Sequence, residues 1–234
     1  MKRLLAASLL TACLPAAAGD LPNIGSLTQE QFRLLSEDLG AALSYKGVTP
    51  ATSLGPWGFD VGLELSATDV KNSDIFNLAG GGSTDSLFVP KLHIYKGLGA
   101  GFDLGGFVAA APDVDATLWG VDLRYAIVQD SLTTPAVAMR ISGTRTSDIG
   151  SLRVTTYGAD VMVSKRLTLA TPYVGAGIVR IESDASGAGL AEETFNKGRY
   201  FGGVNVNFAI INLAFEAERL GDNTTLSAKV GWRF

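Results

Sequence analysis

The sequence predicts an all-β fold: an antiparallel transmembrane β-barrel of about ten strands, preceded by a short amphipathic N-terminal helix. Three observations carry that prediction. The carboxy-terminal stretch Thr224 to Phe234 alternates, with Leu226, Ala228, Val230, Trp232 and Phe234 on one face and Ser227, Lys229, Gly231 and Arg233 on the other. The same two-residue period recurs from Trp57 onward in segments of roughly ten residues, the length a tilted membrane strand needs. Charges take one parity of these segments and aromatics gather at the ends of the other. In hydrocarbon every backbone polar group must be paired, so strands cross only as a closed barrel whose side chains alternate between lipid and lumen.

The chain of 234 residues suits one such unit. Residues 1–18 read as an export signal, with Lys2 and Arg3 at the start, an apolar run from Leu4 to Leu10, and the small residues Ala16 to Ala18 at its end. Every later apolar run is interrupted by a charge, Gly or Pro, so a membrane crossing has to be made by strands. Loss of Lys2 and Arg3 with the signal takes the formal charge from -4 to -6, before the new amino terminus is counted. That acidity argues against a nucleic-acid partner. The single cysteine, Cys13, admits two readings. Leu10-Thr11-Ala12-Cys13 has the pattern of a lipoprotein processing box, whereas Ala16-Ala17-Ala18 has that of ordinary signal cleavage. The second reading, which is preferred, leaves no cysteine in the mature chain. Neither supplies a disulfide framework, a metal-binding cysteine cluster or a thiol nucleophile.

Residues 19–56 hold a helix and a linker. The helix is predicted over Ser26 to Tyr45: Thr28 and Gln31 make a capping box, Glu30 sits in the first turn, and Phe32, Leu35, Leu39 and Leu43 form one apolar stripe. Gly47 and Pro50 end it. Its apolar face is expected against its own barrel, in the lumen or across the periplasmic mouth.

Residues 57–234 form the barrel, with strands predicted over 57–68, 86–96, 101–111, 115–127, 135–146, 152–164, 172–183, 198–209, 212–220 and 224–234. Ten satisfies the even count of single-chain barrels; eight or twelve follow if a weak segment such as 135–146 is misassigned. With the amino terminus periplasmic, the two longest connections, 69–85 and 184–197, both fall outside, as long loops should. Trp57, Phe59, Phe102, Tyr125, Tyr173, Phe208, Trp232 and Phe234 then form one lipid-facing girdle. Phe88, Trp119, Tyr157 and Tyr200 form the other.

The opposite parity supplies the lumen-lining candidates: Asp60, Glu64, Lys91, His93, Asp103, Asp122, Arg124, Arg140, Asp160, Arg180, Glu182, Glu216, Glu218, Lys229 and Arg233. Buried charges need partners, so a salt-bridged interior filling much of a narrow barrel is expected, with a narrow water-filled channel as the alternative. An interior charged throughout argues against an apolar solute. His93, the only histidine, lies in mid-strand with no serine motif beside it, so a polar-network role is expected in place of general-base catalysis. Gly97-Leu98-Gly99-Ala100-Gly101 joins two strands and opens no helix, which removes the phosphate-binding logic of a dinucleotide loop. Asp69, Asp74, Asp85, Asp184, Glu192 and Glu193 lie in glycine- and serine-rich loops, whose composition predicts mobile tips; no metal, cofactor or catalytic site is assigned.

The alternating terminal strand with Val230, Trp232 and Phe234, together with the export signal, resembles small Gram-negative outer-membrane β-barrel proteins. The resemblance spans about Trp57 to Phe234. It implies an outer-membrane location, lipid and lipopolysaccharide as neighbours, and recognition of the Val230, Trp232 and Phe234 signal by the barrel assembly machinery. The N-terminus is expected in the periplasm or the lumen. The expected function is non-enzymatic: an envelope structural role, or a narrow channel for small polar solutes plugged by the N-terminal helix. The alternative is an adhesin-like surface-interaction barrel acting through loops 69–85 and 184–197.

Overall fold

A computed structural model describes residues 21–111, 116–147 and 149–234. The expected signal, Cys13 and the loop 112–114 lie outside the described residues. After a 3-10 turn at Ile24–Ser26, helix α1 spans Gln29–Leu43. The Thr28 hydroxyl accepts from the Gln31 amide at 3.3 Å and the Gln31 side chain accepts from the Thr28 amide at 2.9 Å, so the capping box satisfies donors that a helix start leaves open. Ser44 turns to extended backbone and ends the helix before Gly47.

Ten strands follow: β1 (Phe59–Asp69), β2 (Ser86–Gly99), β3 (Phe102–Ala111), β4 (Ala116–Val128), β5 (Ala136–Thr146), β6 (Arg153–Ser164), β7 (Ala170–Asp184), β8 (Glu193–Phe208), β9 (Ile211–Leu220) and β10 (Asn223–Arg233). Each pairs antiparallel with its sequence neighbours, and β1 pairs with β10 to close the barrel. The seam runs in register from Asp60 opposite Arg233 to Thr68 opposite Thr225, and Phe59 and Phe234 exchange backbone hydrogen bonds of 2.7 and 3.0 Å beyond it. Among the described residues no sheet edge is left unpaired, which is what a strand protein in hydrocarbon requires.

The barrel is apolar outside. Leu65, Ile94, Leu104, Trp119, Ile141, Phe215 and Val230 are among many large outward side chains left about half exposed. A continuous band of that kind suits a lipid solvent and would be an aggregation surface in water. Tyr173, expected in the lipid-facing girdle, instead points inward and is buried, its hydroxyl donating to Glu216 at 2.8 Å. Strand β8 starts at Glu193, five residues before the expected 198, because the β7–β8 hairpin continues past the apolar band, where polar residues such as Asn196 and Lys197 keep the ladder.

The interior is solid. Helix α1 touches β1, β2, β6, β7, β8 and β10, and so lies inside the barrel toward the end that carries the connections 70–85 and 185–192. Residues 44–52 continue down the lumen, all buried, and the chain reaches β1 at the end with the short turns. The connection 70–85 is ordered by a second helix, α2 (Ser73–Leu78), which buries Phe76 and meets the segment before α1 through a 3.0 Å hydrogen bond from the Asn23 amide to the Ala79 carbonyl. This differs from the mobile tip its glycine and serine content suggested; the buried phenylalanine and its packing on the N-terminal segment outweigh that composition.

Candidate functional site

Inward residues change character along the lumen. At the long-connection end they are apolar: Leu87 and Val89 of β2, Leu118 of β4, Val154 of β6, Val179 and Ile181 of β7 and Leu220 of β9 are buried, and Phe32, Leu35, Leu39 and Leu43 of α1 pack among them. Gly40 is the point of closest approach. A Cβ there would lie 2.6 Å from Ile181 Cδ1, so only glycine lets the helix lie this near β7.

Polar contacts interrupt the apolar half, among them the hydroxyl pairs Thr68–Thr225 and Thr144–Thr156 at 2.8 and 2.7 Å and a larger knot on α1. Asp38, on α1 and 1% exposed, accepts from the amides of Lys71 and Asn72 at 3.1 and 2.8 Å. It also accepts from the side chains of Asn72 at 3.1 Å and Asn223 at 2.6 Å. One carboxylate thereby joins the lumenal helix to the first long connection and to the start of β10.

Toward the short-turn end the wall is charged, and the pairs are written into the strand register. Glu64 lies opposite Lys91, Asp103 opposite Arg124, and Arg140 opposite Asp160. The corresponding contacts are 2.6 Å for Lys91 with Glu64, 2.8 Å for Arg124 with Asp103 and 2.8 Å for Arg140 with Asp160. Arg199 adds a second guanidinium to Asp160. Lys229 and Arg233 share Asp60 at 3.0 and 3.6 Å. Charges withdrawn from water are tolerable when paired in this way. His93 Nε2 sits 2.8 Å from Glu64 Oε2, and the ring stacks on Phe107. The histidine is fully buried, which gives no substrate access to it.

The linker after α1 is held by this wall. The Tyr45 hydroxyl donates to Asp122 at 2.5 Å and lies 2.9 Å from the Tyr95 hydroxyl. Arg199 donates to the Tyr45 carbonyl at 2.8 Å, Tyr95 to the Gly47 carbonyl at 3.3 Å, and Arg124 to the Pro50 carbonyl at 2.5 Å. Asp103 accepts from the Ser53 hydroxyl and the Leu54 amide at 3.1 and 3.0 Å. At Gly47 a Cβ would fall on the Arg140 guanidinium, so a larger residue there has to displace that side chain. The linker lacks regular structure of its own, and the wall satisfies its backbone as a helix or sheet otherwise would.

Asp60, Glu64, Lys91, His93, Asp103, Asp122, Arg124, Arg140, Asp160, Glu216, Glu218 and Lys229 are buried on the inward face, and Arg233 is nearly so. Arg180 and Glu182 are a correction. Their side chains are 53% and 28% exposed and pair with each other at 2.7 Å on the outside of β7. The inward positions of that strand are Val179 and Ile181, which the helix requires to be apolar. The expectation of an interior charged throughout is corrected likewise: half of it is a hydrophobic core. The linker residues that occupy the charged half carry no motif, and only the density of unpaired backbone between Ser44 and Pro56 signalled that they needed a polar wall.

A cavity of about 240 Å³ opens at the short-turn end, lined by Ser53, Leu54, Arg166, Asn207, Arg233 and Phe234 among others. Linker residues Pro50 and Thr52 form part of its lining.

Solved structures similar to this chain include outer-membrane barrels. An outer-membrane channel from Pseudomonas putida F1 is 14% identical over 76% of this chain and 96% of its own, with a TM-score of 0.47. The β domain of the Bordetella autotransporter BrkA is 10% identical over 76% and 99%, at 0.46. OprG from Pseudomonas aeruginosa is 8% identical over 80% and 99%, at 0.38. No family model matches the chain, and no curated protein does. At these identities the likeness concerns fold, and function has to be argued from the lumen.

Proposed function

We propose that the protein is a non-enzymatic outer-membrane β-barrel that acts as a narrow channel for small polar solutes, held shut at rest by its own helix α1 and linker. The observation that carries this reading is the wall of the short-turn half. The ion pairs Glu64–Lys91, Asp103–Arg124 and Arg140–Asp160 are made between neighbouring strands, so these charges stay matched without the linker, and the linker's carbonyls occupy sites on Arg124, Arg199 and Tyr95 that water can take over. A barrel built only as a filled anchor has no need of an exchangeable polar filling. The lipid-facing band supports a bilayer location, with lipid and lipopolysaccharide as neighbours.

Closure is the resting state in this reading, because burying each of Phe32, Leu35, Leu39 and Leu43 contributes about 1.5–3 kcal/mol. The segment Leu21 to Thr28 packs with the long connections, so the chain enters the barrel from the end opposite β1. If those connections are extracellular, Asn23 is reached by a membrane-impermeant maleimide on whole cells when replaced by cysteine. Labelling only after outer-membrane disruption places this end in the periplasm.

Planar-bilayer recording of the refolded protein tests the channel. Rare brief openings are expected from the native chain, and openings at least tenfold more frequent from Gly40→Leu, whose side chain cannot fit against Ile181. Silence from a folded Gly40→Leu barrel contradicts the reading. The adhesin-like alternative is less favoured, since the connection 70–85 spends Phe76 and Ala79 on internal packing. The outward residues Val230, Trp232 and Phe234 are proposed as the signal for the assembly machinery. Trp232→Asp is expected to lower the yield of heat-modifiable barrel in the membrane without changing the Tm of what does assemble.

A further inference from the structure

The cross-strand pairs of the charged half do not use every carboxylate. Lys91, Arg124, Arg140, Arg199, Lys229 and Arg233 are taken up by Glu64, Asp103, Asp160 and Asp60. Asp122, which accepts from the Tyr45 hydroxyl, and Glu216 and Glu218, two residues apart on the inward face of β9, remain. Both glutamates are buried, at 4% and 3% exposure. Glu216 accepts from the Tyr173 hydroxyl through one oxygen and leaves Oε1 without a hydrogen bond; neither oxygen of Glu218 has one. Arg199 reaches Glu218 only at 3.8 Å and directs its hydrogen bonds to Asp160 and the Tyr45 carbonyl.

The cation nearest Glu218 belongs to the linker. Lys46 Nζ is 3.5 Å from Glu218 Oε1. The same ammonium accepts nothing and donates to the Ala41 carbonyl at 2.6 Å and to the Ser44 hydroxyl at 3.0 Å, so it is folded back onto the carboxy-terminal end of α1, where a positive charge is favoured. It is therefore fixed to the helix, and it departs when the helix does. Its departure leaves two buried, incompletely satisfied carboxylates facing the lumen.

We propose that Glu216 and Glu218 form a cation subsite in the channel wall, filled at rest by the tethered ammonium of Lys46, and that the open channel passes small cations of ammonium size in preference to anions. This rests on the plugged-channel reading and adds its solute class. Buried carboxylates without a matched cation raise the local concentration of positive ions and repel anions, and they do so most where water is confined.

Two measurements test it. In bilayers, the open state of full-length Gly40→Leu is expected to show a reversal potential in a tenfold KCl gradient that corresponds to a severalfold preference for K⁺ over Cl⁻. Adding Glu216→Gln and Glu218→Gln should bring that ratio near unity while conductance persists. A ratio that stays unchanged, or an anion preference at the outset, overturns the subsite and leaves the channel standing. Silence from every folded variant overturns both. If the double glutamine variant does not fold, chemical rescue decides: Lys46→Ala refolded in methylammonium should recover part of its lost Tm, whereas the native chain gains nothing. Equal response of the two chains to methylammonium overturns the proposal.

Discussion

The two halves of the lumen are filled by one continuous segment and are held by different forces. At the long-connection end α1 presents Phe32, Leu35, Leu39 and Leu43 to inward Leu87, Leu118, Val179 and Ile181, and the contact is held by exclusion of water. At the short-turn end the linker presents carbonyls and hydroxyls to arginines and carboxylates, and the contact is held by directional bonds. Water can replace the second kind of contact group by group. It cannot replace the first without a cost that grows with area. The helix is therefore the part that keeps the barrel shut, and the linker is the part whose bonds can be exchanged once the helix yields.

Substitutions at matched depth break the comparison in order of size. The largest effect is expected from Arg199→Met, which strips Asp160 of one guanidinium and leaves the Tyr45 carbonyl without its donor. Breaking a buried pair at one partner costs about 3–5 kcal/mol, to be read as loss of folded, heat-modifiable barrel in denaturant titrations. Leu39→Ala, at the centre of the apolar half, should cost about 2–5 kcal/mol by transfer and cavity terms. Its signature differs: protease cleavage within 21–56 should rise before the barrel itself melts. If Arg199→Met exposes the linker to protease while Leu39→Ala does not, the roles of the two halves are reversed.

Asp38→Ala comes next. It leaves the amides of Lys71 and Asn72 and the Asn223 side chain without their acceptor, at about 1–3 kcal/mol. Faster hydrogen exchange should appear in 70–85 and in α1 together. Exchange confined to one of them shows that the carboxylate does not couple the two. The smallest change is Thr28→Ala, which removes the helix cap and should cost about 0.5–2 kcal/mol, seen as fraying at Gln29 to Gln31 alone.

The same contrast explains what the sequence made legible. A barrel strand has to keep one face apolar, and that constraint exposed all ten strands, most boundaries within two or three residues, and the direction of most charged side chains. The helix was equally plain from Thr28, Gln31 and its apolar stripe. Strand β7 was not. Ile178, Val179 and Ile181 are apolar on both parities around Arg180, because one side meets lipid and the other meets α1, so the charge reads as the inward marker although it belongs to the outer rim. Leu87, Val89 and Leu118 stood on the lumen parity from the start, yet an apolar lumen makes sense only once a helix is inside it. The linker was the least legible part. Its fit lies in backbone carbonyls, which every residue has, and in Gly47, whose small size matters only beside Arg140.

The close approach of Gly40 to Ile181 offers the most direct test, a reversible lock between helix and wall. With Gly40→Cys and Ile181→Cys combined, oxidation should join α1 to β7, and reduction should free it. Single-channel recording of the same refolded protein before and after reductant is predicted to go from silence to discrete openings. Equal conductance in the two states, or silence in both from a folded barrel, would contradict the claim that the helix is what holds the lumen closed.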